Sequence, residues 1–409
     1  MNTSLRFEMP SKLNTVAMVM VVLGIVMGAA SFFMYSDTLT RVWASLLVNN
    51  FYFLALGIAG AVIMCIGYVA HAGWNTVQKR IMEAMAQYMP IGLFVMLLIG
   101  LFGMSSLYEW SDPEIVAHDH VLQKKTWFLT KEMYIGLTLF ALITWTLLQF
   151  VLRKQSKKED ETPGTTYFWK SYKTSAGFMV LWGFSFCFCI FLWIMSLEPH
   201  WYSTIFAVYV FASVLVLGFT FLNVSSIYLK DKGFLPWFNT NHMHDTSKFM
   251  FAFSIFWGYI FISQLLLIWY ANVPEETPYY LLRWGRMEDG INFYWLWYAN
   301  IILNFVTPFL VFMTRDAKRR VKLVLIISGI MFIAKWIDFY LLVTPGAVKY
   351  AHHYIDAEHH THAGFGLPEI GFFLLFAGLF IIVVGKSLGK ANIVAKNHPY
   401  LKESLDHHV

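Results

Sequence analysis

The chain has 409 residues, of which 58% are hydrophobic and only 13% charged, with a formal net charge of +5 at neutral pH. That composition is too apolar for a water-soluble domain, and the small positive balance needs no nucleic acid to explain it. The three cysteines, Cys65, Cys187 and Cys189, all fall in apolar stretches, which leaves neither a disulfide framework nor a thiolate set for an iron–sulfur cluster.

Stretches long and apolar enough to cross ~30 Å of hydrocarbon recur along the whole chain. In order they cover residues 13–35, 42–69, 89–108, 133–152, 174–196, 202–228, 248–272, 294–313, 321–343 and 368–385. The pattern predicts an all-α, polytopic integral membrane protein of about ten helices. Span 1 is longer than the apolar core of a signal peptide and no small-residue cleavage site follows it, so it reads as a retained helix. Its Gly24 and Gly28 form a small-xxx-small face suited to close helix contact.

Between spans 2 and 3, Trp74, Val77, Ile81, Met85 and Tyr88 recur at helical spacing while Gln78, Lys79 and Glu83 face away. This reads as a short amphipathic helix on the membrane surface, or as a connecting helix packed under a neighbouring subunit. Residues 153–173, with Lys157, Lys158, Glu159, Asp160 and Glu161 before Thr162, Pro163 and Gly164, read as a solvated, charged cytoplasmic linker. The linker separates spans 1–4 (residues 1–152) from spans 5–10 (residues 174–409) of a single membrane domain. Spans 2–5 (about 42–196) and 6–9 (about 202–343) then form two four-helix bundles of equal orientation, with spans 1 and 10 at the periphery. Tyr108, Pro113 and Glu114 after span 3 faintly echo Tyr270, Pro274 and Glu275 after span 7. Trp43, Trp110, Trp127, Trp201, Trp269 and Trp297 sit near expected membrane interfaces and read as anchors.

An even number of spans puts both termini on one side. The face holding the termini and the loops after spans 2, 4, 6 and 8 carries 22 of the 30 Lys and Arg residues, and the opposite face carries 7. This bias places both termini in the cytoplasm. Fourteen histidines all lie in loops or near span ends, and no Cys-x-x-Cys-His is present, so the chain reads as one without a haem, metal or other redox centre of its own.

Polar groups at membrane depth concentrate in the second bundle. Tyr259, Ser263 and Gln264 occupy span 7, Asn304 and Thr307 span 8, and Lys335 and Asp338 span 9. A charge within the bilayer costs at least ~2.5–3.5 kcal/mol, and the i, i+3 spacing puts this pair on one helix face. The two residues read either as part of a proton-conducting polar column or as a buried ion pair that locks helices together. At the outer end lie Glu198 and His200 in a Leu-Glu-Pro-His-Trp turn and Glu275 after span 7. At the cytoplasmic end His244 and Asp245, with His242, precede span 7. Imidazole beside carboxylate suits proton exchange near neutral pH, while helix capping and ordinary solvated histidines account for the same residues. A loop before span 10 carries His352, His353, His359, His360 and His362 with Asp356 and Glu358, at spacings that match no defined metal site.

Three segments carry a resemblance: Met195-Ser-Leu-Glu-Pro-His-Trp-Tyr-Ser-Thr-Ile-Phe206; Phe251-Ala-Phe-Ser-Ile-Phe-Trp-Gly-Tyr-Ile-Phe-Ile-Ser-Gln264 with Trp269-Tyr-Ala-Asn-Val-Pro-Glu-Glu-Thr277; and Trp336-Ile-Asp-Phe-Tyr-Leu-Leu-Val-Thr-Pro345. They resemble the ActF type of membrane subunit in bacterial alternative complex III, which belongs to the polysulfide-reductase-like (NrfD/PsrC) class, and the likeness extends over nearly the whole chain in span number and loop order. The resemblance implies a non-redox subunit of a respiratory quinol:cytochrome c or quinol:oxidase oxidoreductase. Its implied partners are a sister NrfD-like subunit, an iron–sulfur subunit and multihaem cytochrome c subunits in a lipid membrane, with a haem-copper oxidase as a further neighbour. Iron–sulfur clusters and c-type haems then belong to those partners, quinol is the substrate of the complex, and this chain supplies a scaffold and a proton route. No intramembrane histidine is available to take a proton from quinol, so a quinone contact in this chain stays open. An autonomous ion-coupled transporter and a purely structural anchor are the competing readings.

Overall fold

Ten helices among the described residues are long and apolar enough to cross a membrane. They are Ser11–Met34 (span 1), Leu39–Val69 (span 2), Thr76–Leu107 (span 3), Lys131–Glu161 (span 4), Thr166–Leu197 (span 5), Phe206–Asp231 (span 6), Thr240–Ala271 (span 7), Tyr294–Phe312 (span 8), Val321–Ala351 (span 9) and Leu367–Gly389 (span 10). The computed structural model describes residues 5–36, 39–285, 293–354 and 365–407, with the backbone alone for 352–354. Helices dominate because a chain in hydrocarbon must satisfy its own backbone polar groups, and no strand occurs among the described residues. The protein is an all-α, multi-pass membrane protein. The histidine-rich stretch lies outside the described side chains.

Spans 2, 3, 4 and 5 pack against one another, as do spans 6, 7, 8 and 9. Span 2 is buried along most of its length because it also packs on spans 6, 9 and 10 and so joins the two groups. Spans 1 and 10 form a hairpin-like pair. There the small-residue face of span 1 does what its spacing suggests: a Cβ on Gly24 would lie 2.4 Å from the Leu375 backbone nitrogen, and one on Gly28 would lie 2.9 Å from the Phe372 ring. The amide of Ile393 donates to the carbonyl of Leu5 at 2.9 Å, which puts the N- and C-terminal segments on the same face. We call this the termini face.

Two spans contain a wide π-helical turn, Ile99–Gly103 in span 3 and Ile302–Val306 in span 8. In span 8 the cause is local. Pro308 has no N–H for the Asn304 carbonyl, and the turn before it widens, with the Thr307 hydroxyl donating to the Ile302 carbonyl at 2.9 Å. Both spans continue as helix beyond the turn.

Three readings of the sequence are corrected. The expected linker at 153–173 shrinks to residues 162–165, because span 4 runs to Glu161 and span 5 starts at Thr166. Arg153, Ser156 and Glu159 are buried, since they pair with charges from the start of span 3. For the same reason Gln78, Lys79 and Glu83 do not face water or a membrane surface: the segment is the first turns of span 3, with those three side chains buried. Of the six tryptophans read as anchors, Trp110, Trp201 and Trp297 are core residues, while Trp127 and Trp269 are well exposed.

The basic-residue bias predicts which way the molecule faces. A single cysteine placed at the exposed Glu275 should react with a membrane-impermeant thiol reagent in intact cells, and one at the exposed Thr162 should react only after permeabilisation. The reverse pattern contradicts that orientation.

Candidate functional site

Span 9 enters from the termini face, and Lys335 and Asp338 lie near its midpoint, both fully buried. The Lys335 Nζ is 3.5 Å from Asp338 Oδ2. Four neutral donors from three other spans converge on the same carboxylate. Ser213 Oγ and Trp257 Nε1 donate to Oδ2 at 2.6 and 3.1 Å, and Asn300 Nδ2 donates to Oδ1 at 3.3 Å. The Tyr209 hydroxyl also donates to Oδ1. Asp338 is therefore tightly held. Lys335 is not: besides the 3.5 Å contact it reaches Ser213 Oγ at 3.4 Å and the face of Trp257 at 4.4 Å from the ring centre. Asn304 supports this shell, its amide donating to the Asn300 side-chain oxygen at 2.6 Å and to the Ala334 carbonyl at 3.0 Å.

Toward the termini face, spans 6 and 7 present facing stripes of small polar side chains. Thr246 Oγ1 donates to Gln78 Oε1 at 3.1 Å, and Gln78 Nε2 donates to Ser226 Oγ at 2.8 Å. One turn deeper, Asn223 Nδ2 donates to Ser247 Oγ at 3.2 Å, and Thr220 Oγ1 meets the Met250 sulfur at 3.2 Å. Ser254 continues the face of span 7 that carries Ser247, Met250 and Trp257. From Thr220 to Ser213 is about 10 Å of helix, with Ser254 the polar group alongside. His244 and Asp245 are buried at the termini-face end of these stripes, where Asp245 pairs with Lys248 at 2.8 Å and with His407 at 2.6 Å.

On the opposite face the column ends at Arg283, contributed by the short helix Pro278–Arg283. Pro345 lies inside span 9 and cannot donate to the Leu341 carbonyl, and Arg283 Nε fills that place at 3.2 Å. Its other nitrogens donate to Glu198 Oε1 and the Tyr279 carbonyl, both at 2.7 Å, and its guanidinium lies 3.5 Å from the centre of the Tyr279 ring. Gly346 makes the approach of the Glu198 turn feasible, since a Cβ there would sit 2.9 Å from Glu198 Cγ. Burial works against the Arg283 charge, but Glu198 and Tyr279 outweigh it and raise its pKa above the usual value. Burial pushes the Tyr279 hydroxyl up, with Glu198 and Asp338 adding to the push and Arg283 opposing it.

His200 belongs to a separate cluster. Its Nε2 is 2.5 Å from Asp119 Oδ2 and its Nδ1 3.7 Å from Glu109 Oε2. Burial holds the Glu109 carboxyl above its usual range despite His200 and Lys349 nearby. For Asp119 burial pulls upward, but hydrogen bonds from the Leu122 and Val121 amides and from His200 bring it below the usual range.

The structure thus gathers Lys335, Asp338, Asn304, Glu198, His244 and Asp245 along one column, and places other expected members elsewhere. Tyr259 is 63% exposed on the outside of span 7, two residues and about 200 degrees of helix from Trp257. Thr307 bonds within its own helix, Ser263 is half-buried, and Glu275 is exposed in its loop; Gln264 is buried. Missed from the sequence were Tyr209, Ser213, Trp257, Asn300 and Arg283. The i, i+4 pairs Tyr209/Ser213 and Asn300/Asn304 were the available signal.

A second buried charge set closes the termini end of the first bundle. Lys79 pairs with Glu159 at 2.6 Å, Arg80 with Glu83 at 2.7 Å and Asp160 at 2.5 Å, and Arg153 with Glu83 at 2.6 Å. Beside it, burial first and then Lys79 and Arg80 push the His398 imidazole down to about 2. A third pair, Arg41 with Glu369, is bidentate at 3.0 and 3.1 Å. Comparison with protein-family models and with curated proteins finds no match to this chain.

Two outcomes follow. Replacing Arg283 with Met strands the Glu198 carboxylate and the Leu341 carbonyl, and should cost about 3–5 kcal/mol, read as a lower melting temperature in detergent; Glu198→Gln should cost less. Because His398 is kept neutral when folded but takes a proton when unfolded, stability should fall as pH drops below about 6.5. His398→Gln should flatten that part of the pH–melting curve.

Proposed function

We propose that the chain is a cofactor-free membrane subunit of a respiratory quinol-oxidising complex of the alternative complex III type, with its termini in the cytoplasm of a bacterium, and that its second bundle carries protons. The residue resemblance supports the membership. The conduction rests on one observation: a buried lysine–aspartate pair at mid-membrane lies on a line of polar side chains that runs from Asp245 to Glu198.

The roles divide by how firmly each group is held. Asp338, gripped by Tyr209, Ser213, Trp257 and Asn300, is a fixed counter-ion. Lys335, with contacts of 3.4–3.5 Å, is the group free to give up and regain a proton. Conduction requires water in the interval between Thr220 and Ser213, and hydrogen bonds through water cost little when polar groups flank them. Beyond the pair, Tyr209 and Tyr279 lead to Arg283 and Glu198. Electrons and quinol are handled by the partner subunits in this reading.

A structural lock is the second reading, favoured by the completeness of the Asp338 shell. Asp338→Asn separates the two in the complex assembled with its native partners. Asparagine keeps shape and hydrogen bonding but removes the charge. Conduction predicts an assembled complex that still oxidises quinol, with proton movement reduced. A lock predicts failed assembly, since an unpaired buried lysine costs about 3–5 kcal/mol, and its recovery in Lys335→Met/Asp338→Leu. Normal proton movement in the assembled Asp338→Asn complex overturns the proposal.

A further inference from the structure

The C-terminal segment ends against the inner mouth of the polar column. Ser404 Oγ donates to the Trp74 carbonyl at 3.1 Å and accepts from the Val77 amide at 3.2 Å, which fixes the short helix Leu401–Leu405 to the start of span 3. Three residues on, the His407 carbonyl accepts from Asn239 Nδ2 at 3.1 Å and Asn241 Nδ2 at 3.3 Å, both at the start of span 7. The backbone is thereby clamped on both sides of one side chain. That side chain is an imidazole whose Nε2 lies 2.6 Å from Asp245 Oδ2. Its ring is 17% exposed, whereas Asp245 is 9% exposed, so His407 touches both solvent and the buried carboxylate. Asp245 in turn adjoins Thr246, the first hydroxyl of the column.

We infer that His407 is the proton-collecting residue of the column: it takes protons from the termini-face solvent and hands them to Asp245. The inference rests on the proton-conducting reading above. Histidine suits this place because it binds and releases protons near neutral pH and its two ring nitrogens let one face accept while the other donates. The step balances without a co-reactant. A solvent proton binds one ring nitrogen, the other nitrogen releases its proton to the Asp245 carboxylate, and proton exchange with solvent, one nitrogen regaining a proton as the other gives its own up, restores the starting tautomer. Asp245 and His242 on span 7 touch the imidazole, Lys248 and His244 on the same span lie beside Asp245, and Lys230 at the end of span 6 and Arg319 in the turn before span 9 act on His242 and His244 respectively. The clamp by Ser404, Asn239 and Asn241 explains why a terminal segment far from the membrane core is folded back so closely: it presents one side chain to one carboxylate.

The test uses the complex assembled with its partners in proteoliposomes. His407→Ala should slow proton uptake from the termini side at least about tenfold at pH 8, within the range for loss of a positioned acid–base group. Millimolar imidazole in the buffer should restore it. His407→Gln, whose amide keeps the hydrogen bond to Asp245, should assemble like the wild type and be equally slow. Wild-type uptake in either variant overturns the inference, and so does a loss in His407→Ala that imidazole does not repair while His407→Gln is normal, since that marks a purely structural contact. The Lys335→Met/Asp338→Leu complex serves as the reference. If it loses proton movement while the His407 variants do not, the port assignment fails alone; if it moves protons normally, the conducting reading itself fails.

Discussion

Charge in hydrocarbon must be balanced within the fold, and the molecule is organised around meeting that demand. An isolated ion loses several kcal/mol on leaving water, and partners recover it only with close geometry. The first bundle meets the demand with Lys79, Arg80 and Arg153 against Glu83, Glu159 and Asp160. The span 2–span 10 contact meets it with Arg41 and Glu369. At the middle of span 9 the second bundle meets it with Lys335 and Asp338, and there the match is uneven. The anion has more partners than it needs and the cation fewer. A set that only had to hold helices together could be as tight as Arg153 on Glu83 at 2.6 Å. The loose ammonium is what separates this pair from the others.

Proline shapes the opposite end of the same span. By withdrawing one backbone donor, Pro345 leaves a carbonyl that an arginine from a different segment completes, and that arginine then holds Glu198 and stacks on Tyr279. A backbone defect thus carries the polar column from the middle of the membrane to the opposite face. The termini face is closed by the chain's own C-terminal segment, so both ends of the column are built from residues remote in sequence from its centre.

This remoteness decides how much was readable from the sequence. The ten spans were legible because length and hydropathy are local properties, and Lys335 and Asp338 stood out because charges are rare inside apolar runs. Their shell was not. Tyr209, Ser213, Trp257 and Asn300 are neutral residues common in any helix, and only the packing of spans 6, 7 and 8 on span 9 singles them out. Tyr259 was misplaced because without the helix phase a polar residue at the right depth looks equivalent to Trp257, which faces the other way. The stretch around Lys157–Glu161 read as solvated because its partners, Lys79 and Arg80, lie some 80 residues upstream. Arg283 and His407 gave no signal at all, lying in a connection and at the end of the chain.

The central claim is that a mobile proton on Lys335 serves a path through the second bundle. The number of protons moved per electron by the assembled complex in sealed proteoliposomes tests it most directly, with the charge-free Lys335→Met/Asp338→Leu chain set against the wild type. That variant leaves no unpaired ion, so it should assemble and still pass electrons. The account predicts that its proton-to-electron ratio falls by the contribution of this chain. A ratio equal to that of the wild type would contradict it.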